Sequence, residues 1–320
     1  MTLNKILLQF SNTSETVLVT GGTGFIGQQL IKALLLNGQR VIVLSRDSQK
    51  ASNLLGDKIK CIANMKALPS DTKIDVIINL AGARILGWRW TEARKAELRQ
   101  SRIALTNSLV AWIAQAQVKP RLLLSASAIG YYGIQSENDQ ASLDENSPPQ
   151  AIFMSQLCQE WETAASQAAQ YGVMVRRMRF GLVLCKQGAL PMMLLPIKLG
   201  LGGALGRGTQ WLSWIHIDDL LAGIAHLWQQ SSQSNVNIEQ NEAVNFTAPE
   251  CVTQKQFSQI AASVLHRPCF MLTPAWPIRL ALGEQADLLL EGQRVVPNRL
   301  LASGIAFTYP HLKQALEDVI

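Results

Sequence analysis

Residues 16–27 read TVLVTGGTGFIG, and this run decides the fold. Thr16–Thr20 is short and apolar at its centre, as expected of a strand buried on both faces. It runs directly into Gly21, Gly24 and Gly27, three glycines spaced by three. The first glycine permits a tight turn, the second a close backbone approach to a ligand, and the third tight packing of a helix on the strand. The helix that begins near Gly24 and continues through Phe25 and Ile26 offers unpaired N–H groups and the positive end of its dipole. With Thr23 in the turn, a strand, glycine loop and helix in this order predict a cradle for the pyrophosphate of a dinucleotide.

On the C-terminal side of this loop, β-branched runs alternate with helical segments to about residue 185. Strands are expected at Arg40–Leu44, Lys58–Ile62, Asp75–Asn79, Arg121–Ser125 and Val173–Met178, and helices at Phe25–Leu36, Thr91–Gln115 and Ala151–Gln170. Such alternation predicts an α/β fold, a Rossmann doubly wound parallel sheet with helices on both faces. This unit is expected over residues 14–185, completed by roughly 211–232. Beyond 185 glycine and proline become dense, a polar loop follows at Gln229–Asn241, and Asn235–Asn245 reads as a surface connection. One more helix is expected near Thr253–Leu265. Residues 186–210 and 233–320 then form a smaller C-terminal lobe that covers the substrate at the carboxyl ends of the strands.

The second strand ends in Ser45 and Arg46. An NAD-preferring site places a carboxylate there for the ribose 2′-hydroxyl, whereas an arginine suits a 2′-phosphate. Ser45 and Arg46 therefore favour NADP(H) over NAD(H), the alternative being a solvated surface charge.

The 320 residues are 48% hydrophobic and 16% charged, which excludes a disordered chain. A net charge of +6 favours anionic ligands without implying nucleic acid. The five cysteines, Cys61, Cys158, Cys185, Cys251 and Cys269, contain no C-x-x-C pair, so they read as reduced thiols of a cytoplasmic protein with no metal site. The first fourteen residues lack the pattern of a secretory signal. Gly188–Gly206 is apolar, but Pro191, Pro196 and Lys198 make it a loop and helix over a ligand, not a membrane span.

Gly21–Gly27, the NLAG of residues 79–82, Ser125–Ser127 leading to Tyr131, Tyr132 and Gly133, and the IHIDD of residues 215–219 together resemble the extended short-chain dehydrogenase/reductase superfamily. Three further segments are similar to its atypical "epimerase family protein" branch, which includes bacterial YfcH-type proteins: Trp88–Arg102, Cys158–Glu162 and Val295–Leu300. The likeness spans residues 16 to 320. It implies that Leu80, Ala81 and Gly82 line the cofactor, with Ala81 and Gly82 on its adenine-ribose side. It also implies that the Ser127 hydroxyl polarises a substrate oxygen, the alternative being a turn-forming serine.

Two departures from that pattern matter. The superfamily's catalytic Tyr and the Lys four residues later align with Phe153 and Leu157, and no lysine occurs between Lys119 and Lys186. Tyr309 and Lys313 have the spacing, but with Pro310 between them and after the fold-defining strands. The arginine that clamps a nucleotide-sugar diphosphate aligns with Leu212, which cannot supply a bidentate fork. Arg207 is an alternative clamp or a surface charge. Tyr131 or Tyr132 is the substitute acid, unless these rings only pack beside the nicotinamide. Cys158 reads as a small buried residue, and His216 with Asp218 and Asp219 as a relay or a helix cap. Arg84, Arg102, Trp214 and His216 are candidates for the substrate cleft, with Arg89 a further cation near it.

Arg84–Arg121 carries eight basic and two acidic residues with Trp88 and Trp90 interleaved, which suits a solvated helix face, an anion-binding cleft or, third, nucleic acid. The leading reading is an NADP(H)-dependent oxidoreductase or epimerase-like enzyme acting on a small molecule. A non-catalytic NADP(H)-binding redox sensor and a nucleic-acid-binding module are the alternatives. A homodimer is implied only by analogy of fold.

Overall fold

The computed structural model describes residues 8–87, 89–136, 139–232 and 239–320. Trp88 and much of the polar stretch near 235 lie outside the described residues. Seven parallel strands form the central sheet: β1 (Thr16–Thr20), β2 (Arg40–Leu44), β3 (Lys60–Ile62), β4 (Val76–Asn79), β5 (Leu122–Ala128), β6 (Met174–Phe180) and the later β11 (Asn241–Phe246). Their order is β11-β6-β5-β4-β1-β2-β3, so the direction of winding reverses between β1 and β4.

Alternation along each strand feeds two cores. Val17 and Val19, Val41 and Val43, Val76 and Ile78 face one side, where α1 (Phe25–Leu36) covers them with Leu30, Ile31 and Leu34. Leu18, Ile42, Ile77 and Leu123 face the other. α2 (Ser48–Leu55), which leads into β3, sets Leu55 on the α1 side, while on the opposite face, after α3 (Glu92–Arg99), the helix α4 (Leu105–Gln115) supplies Leu109, Val110, Trp112 and Ile113, with α5 (Phe153–Ser166) beside it. Period-two alternation with apolar residues on both faces is what a helix-sandwiched parallel sheet requires.

After β7 (Leu182–Leu184) come α6 (Leu190–Lys198), β8 (Gly202–Leu205), β9 (Trp211–Leu212), β10 (Trp214–His216) and α7 (Ile217–Gln230). The last of these packs Leu220, Ile224 and Trp228 onto the α1 side of the sheet. Beyond β11 lie β12 (Val252–Thr253), α8 (Gln254–Val264), β13 (Cys269–Thr273), α9 (Ala275–Leu282), α10 (Asp287–Leu290), α11 (Asn298–Ala302) and α12 (Leu312–Val319). A third core joins α6, α8 and α12 around Trp214.

Two expectations change. The stretch read as a surface connection supplies in its second half β11, the edge strand against β6, because Ala243, Val244 and Phe246 are buried. The long helix of Thr91–Gln115 is interrupted by a π-helical turn at Gln100–Ala104. No helix among the described residues is long and apolar enough to cross a membrane.

Candidate functional site

The carboxyl ends of β1 and β4 meet at the reversal point. Gly21 has φ +69°, and a Cβ there would stand 2.7 Å from the carbonyl carbon of Leu80, so the two loops touch backbone to backbone. A Cβ on Gly27 would lie 2.3 Å from the Gly21 oxygen, so the start of α1 sits directly on the turn. Gly24 is the N-cap of α1 and brings no side-chain cap. The first-turn N–H groups of Phe25, Ile26 and Gly27 are thus left for an external acceptor, which is the requirement for an anion at a helix start. Thr23 and Gly24 are exposed beside them.

Beneath the loops a buried polar chain fixes the strand ends. Thr20 Oγ1 donates to Asn79 Oδ1 at 2.7 Å and accepts from the Ala81 N–H at 3.2 Å. Asn79 Nδ2 donates to Thr106 Oγ1 at 2.9 Å and Ser125 Oγ at 3.2 Å, and Trp161 Nε1 donates to Thr106 as well. At the end of β2, Ser45 Oγ donates to the Asp47 carbonyl and Asp47 caps α2, while Arg46 is exposed and pairs with no described residue.

The candidate catalytic hydroxyls fare differently. Ser127 is 2% exposed, and its Oγ donates to Glu162 Oε1 at 2.7 Å. Glu162 also accepts from Arg179, Nε on Oε1 at 2.8 Å and Nη2 on Oε2 at 2.9 Å, and from Arg177 Nη1 at 3.3 Å. Arg179 Nη1 donates to the Tyr132 hydroxyl at 2.9 Å, which donates in turn to Asn245 Oδ1 at 2.7 Å. Burial works against the charge of Arg179, but its hydrogen bonds to Glu162 outweigh this and hold its pKa above the ordinary value. Burial also pushes Tyr132 up to about 12. Ser127, the hydroxyl expected to polarise a substrate oxygen, thus donates its proton to a buried carboxylate. Tyr132, 2% exposed, is a member of the same network. Tyr131 is half-buried, its ring lies 3.4 Å from Arg179 Cζ, and its hydroxyl has no described partner.

Phe153 occupies the place of the absent Tyr, edge-on to Trp90 at 5.1 Å, with Lys95 and Arg99 over its ring. Leu157 is buried in the core, and beside it burial pushes the Cys158 thiol up to about 12.

Of the four cleft candidates, Trp214 and His216 are both fully buried, Trp214 in the third core, where its carbonyl accepts from the Ala248 N–H just past the end of β11. His216 is the N-cap of α7, its Nδ1 accepting from the Asp218 N–H at 3.2 Å, and it stacks on Tyr309. With Asp218 and Asp318 it forms a group whose ligand atoms lie within 4.8 Å of one another. Nδ1 of His216 is taken by that bond, and its Nε2 faces Asp318 at 3.3 Å. Arg102 is buried under Gly82 and does not project into the cleft. Arg84 is exposed on the loop after β4. Of the other cations of the Arg84–Arg121 stretch, Arg94 pairs with Glu97, Lys95 with Glu284, Arg99 with Glu160 and Arg121 with Glu15, Lys119 donates to the Ala114 and Ala116 carbonyls, and Arg89 is exposed.

Glu162, Arg179, Asn245 and Thr20 were not singled out from the sequence. The available signal was the MVRRMRF of β6, since three arginines in a doubly covered strand require acceptors brought from elsewhere.

An open parallel sheet of this order, with a glycine cradle at its reversal point, defines a dinucleotide-binding protein of the Rossmann class. The chain belongs to the NAD dependent epimerase/dehydratase family, whose model matches residues 17–239, as an atypical short-chain dehydrogenase/reductase. Residues 273–319 match a domain of unknown function, DUF1731. It is 40% identical to the epimerase family protein SSP1921 of Staphylococcus saprophyticus, over 95% of this chain and 98% of that one. It is 37% identical to the chloroplastic epimerase family protein SDR39U1 homolog of Arabidopsis thaliana, over 95% and 86%. Among solved structures, human epimerase family protein SDR39U1 with NADPH superimposes with a TM-score of 0.82 at 33% identity, covering 95% of this chain and 98% of that one.

Proposed function

We propose that this chain binds NADP(H) and works on a small molecule as an oxidoreductase or epimerase-like enzyme that dispenses with the usual Tyr and Lys. The observation that carries the reading is the uncapped α1 start beside Gly21–Gly27, set next to a free Arg46. In this reading the N–H groups of Phe25–Gly27 hold the pyrophosphate, and Thr23 stands beside them. Ser45 and Arg46 take the ribose 2′-phosphate, and Leu80, Ala81 and Gly82 line the far wall. The NADPH named with the human relative supports the preference. When bound, the dinucleotide supplies or accepts hydride.

The chain's own part is to orient and to move a proton. Ser127 and Tyr132 are tied into the Glu162 network, so Tyr131 is the remaining hydroxyl for that proton. Arg84 is the exposed cation for an anionic substrate group. Leu212 in place of a diphosphate clamp argues against nucleotide sugars.

The test is to measure NADPH and NADH dissociation constants for the wild type and Arg46→Asp. A single Arg–phosphate contact is worth about 1.5–3 kcal/mol, so the preference for NADPH should fall by roughly tenfold to a hundredfold. An unchanged ratio removes the NADP(H) assignment. Oxidation of NADPH by a carbonyl and sugar panel, lost in Tyr131→Phe, then tests for catalysis.

A further inference from the structure

The C-terminal lobe carries an apolar face that no described residue covers. Met192 and Leu195 of α6, and Leu199 and Leu201 in the connection to β8, are each at least half exposed. β13 pairs with β8 and displays Phe270 and Leu272, at 73% and 74% exposed. α9 follows with Trp276 and Leu280, at 68% and 70%. These pieces adjoin one another. A Cβ on Gly200 would lie 3.9 Å from the Pro268 ring that precedes β13, and one on Gly206 would lie 3.5 Å from the Ala275 Cβ at the start of α9.

Two features mark this face as one built to be covered. α9 reads AWPIRLAL and buries none of its residues, whereas a helix apolar around most of its circumference belongs in a core. β13 is an outer strand. The inner edge of its two-stranded ribbon is closed by Gln254, whose Oε1 accepts from the Leu205 N–H at 2.8 Å and whose Nε2 donates to the Gly203 carbonyl at 3.5 Å. The outer edge faces no described strand, and CFMLT carries neither the charge nor the proline that commonly blunts such an edge. Past the register shift between Cys269 and Met271, the strand runs regularly to Thr273.

Size and charge name the occupant. Two aromatic side chains of about 150–250 Å² each when bare, with six aliphatic ones, all at least half exposed, present roughly 800 Å². That exceeds the largest patch of an ordinary monomer, about 300–600 Å², and matches the share of each partner in a standard interface, about 800 Å². The charges beside α9 cancel internally: Arg279 pairs with Asp287 at 2.8 Å and Glu291 at 2.6 Å, and Glu284 with Lys95 at 2.8 Å. Lys198 and Arg267 are exposed next to the face, against the roughly four to eight cations that recognition of anionic lipid uses.

We propose that this face joins two copies of the chain about a two-fold axis, β13 and α9 of one against β13 and α9 of the other. Such an axis sets the two open strand edges antiparallel, where they exchange backbone hydrogen bonds. It also places Arg267 of one copy at the Thr273 end of the other strand, away from its own equivalent. The contact is coupled to the cleft. α9 continues through Gly283, where a Cβ would lie 3.5 Å from Arg89 Nε, to Gln285, whose Nε2 donates to the Ile85 carbonyl at 2.6 Å. A second copy on α9 therefore braces the loop after β4 that carries Arg84, whatever fills the Gly21–Gly27 cradle.

The experiment is sedimentation velocity of the full-length protein across the micromolar range, beside Leu272→Lys, Trp276→Glu and, as a control, Leu36→Lys at the exposed end of α1. The wild type and the control should sediment as dimers. Each face variant should weaken dimerisation by roughly thirtyfold or more, the loss that follows removal of a central anchor. A wild type that stays monomeric overturns the proposal, and flotation of that monomer with phosphatidylserine vesicles would assign the face to a lipid surface instead. A dimer that both face variants leave intact overturns it as well, because the copies then meet elsewhere. Circular dichroism checks folding; should Leu272→Lys unfold, Trp276→Glu decides alone, on a helix with no buried residue to lose.

Discussion

Replacing Glu162 with Gln puts the buried network to its sharpest test. Glu162 is 3% exposed, and four donors converge on its two oxygens: Ser127, two nitrogens of Arg179, and Arg177. Glutamine keeps one oxygen and turns the other into an amide that faces donors. Arg179, itself 2% exposed, is then left without its countercharge. Breaking a buried ion pair from one side costs about 3–5 kcal/mol, a large part of the 5–15 kcal/mol that typically holds a domain together. For a chain of this size the unfolding entropy converts that loss into a Tm drop of about 4–7 °C. Urea denaturation and calorimetry of Glu162→Gln, Arg179→Met and the double variant give the coupling directly. The double variant no longer orphans the buried Arg179 and leaves only the half-buried Arg177 without its carboxylate, so its loss should fall short of the sum of the singles by about 1–3 kcal/mol. A loss under about 1 kcal/mol in Glu162→Gln, or strict additivity in the cycle, would refute the reasoning.

Two further outcomes follow from the same geometry. Gly21→Ala places a methyl group 2.7 Å from the Leu80 carbonyl carbon at a φ of +69°. The folded protein should survive with a loss of about 1–2 kcal/mol, while NADPH affinity drops by roughly tenfold or more as the loops separate; unaltered binding in a titration would contradict the cradle. The second outcome concerns pH. Burial lowers the pKa of His216 and His226 below the ordinary 6.5, so unfolding takes up protons below that pH. Stability should hold above about pH 6.5 and decline as the pH falls towards the folded values, with the raised pKa of Asp219 acting in the opposite sense at lower pH. His216→Asn keeps a capping acceptor and should flatten the slope between pH 7 and 5. An unchanged slope in denaturation midpoints would exclude His216 as its source.

The parts of this protein legible in the sequence are those whose causes are local. β1, α1 and β2 match their expected limits because the strand pattern, the glycines and Gly38 beyond α1 all act within a few residues of each other. The cradle was legible for the same reason. Glu162 was not, because its meaning comes from Ser127 and Arg179, which lie 35 and 17 residues away in the chain. Trp214 and His216 sit in a motif that suggests chemistry, yet the third core takes in Trp214 and Tyr309 covers His216, which only the elements after β11 reveal. β11 was hidden by its polar beginning, Asn241 and Glu242, and its identity rests on pairing with β6. Arg102 was noticed as a charge, but its direction depends on the π-helical turn, which no spacing announces.

The late position of β11 has a consequence for synthesis. A ribosome that has delivered β1 to β6 has released a sheet whose β6 edge is bare, with Arg176 lacking the Glu239 carbonyl and the Glu242 carboxylate it meets in the finished fold. The segment that ties β11 and the loop before α5 together comes later still: Val296 N–H donates to the Leu143 carbonyl, Asn245 donates to the Val296 carbonyl, and Arg299 donates to the Ala243 carbonyl. Leu300 then plugs the core on the α1 side. The nascent chain therefore carries an open, arginine-bearing edge until β11 emerges, and an unclasped one until residues 295–300 follow. Residues 273–319, for all that they match a separate domain, act as the clasp of the first one.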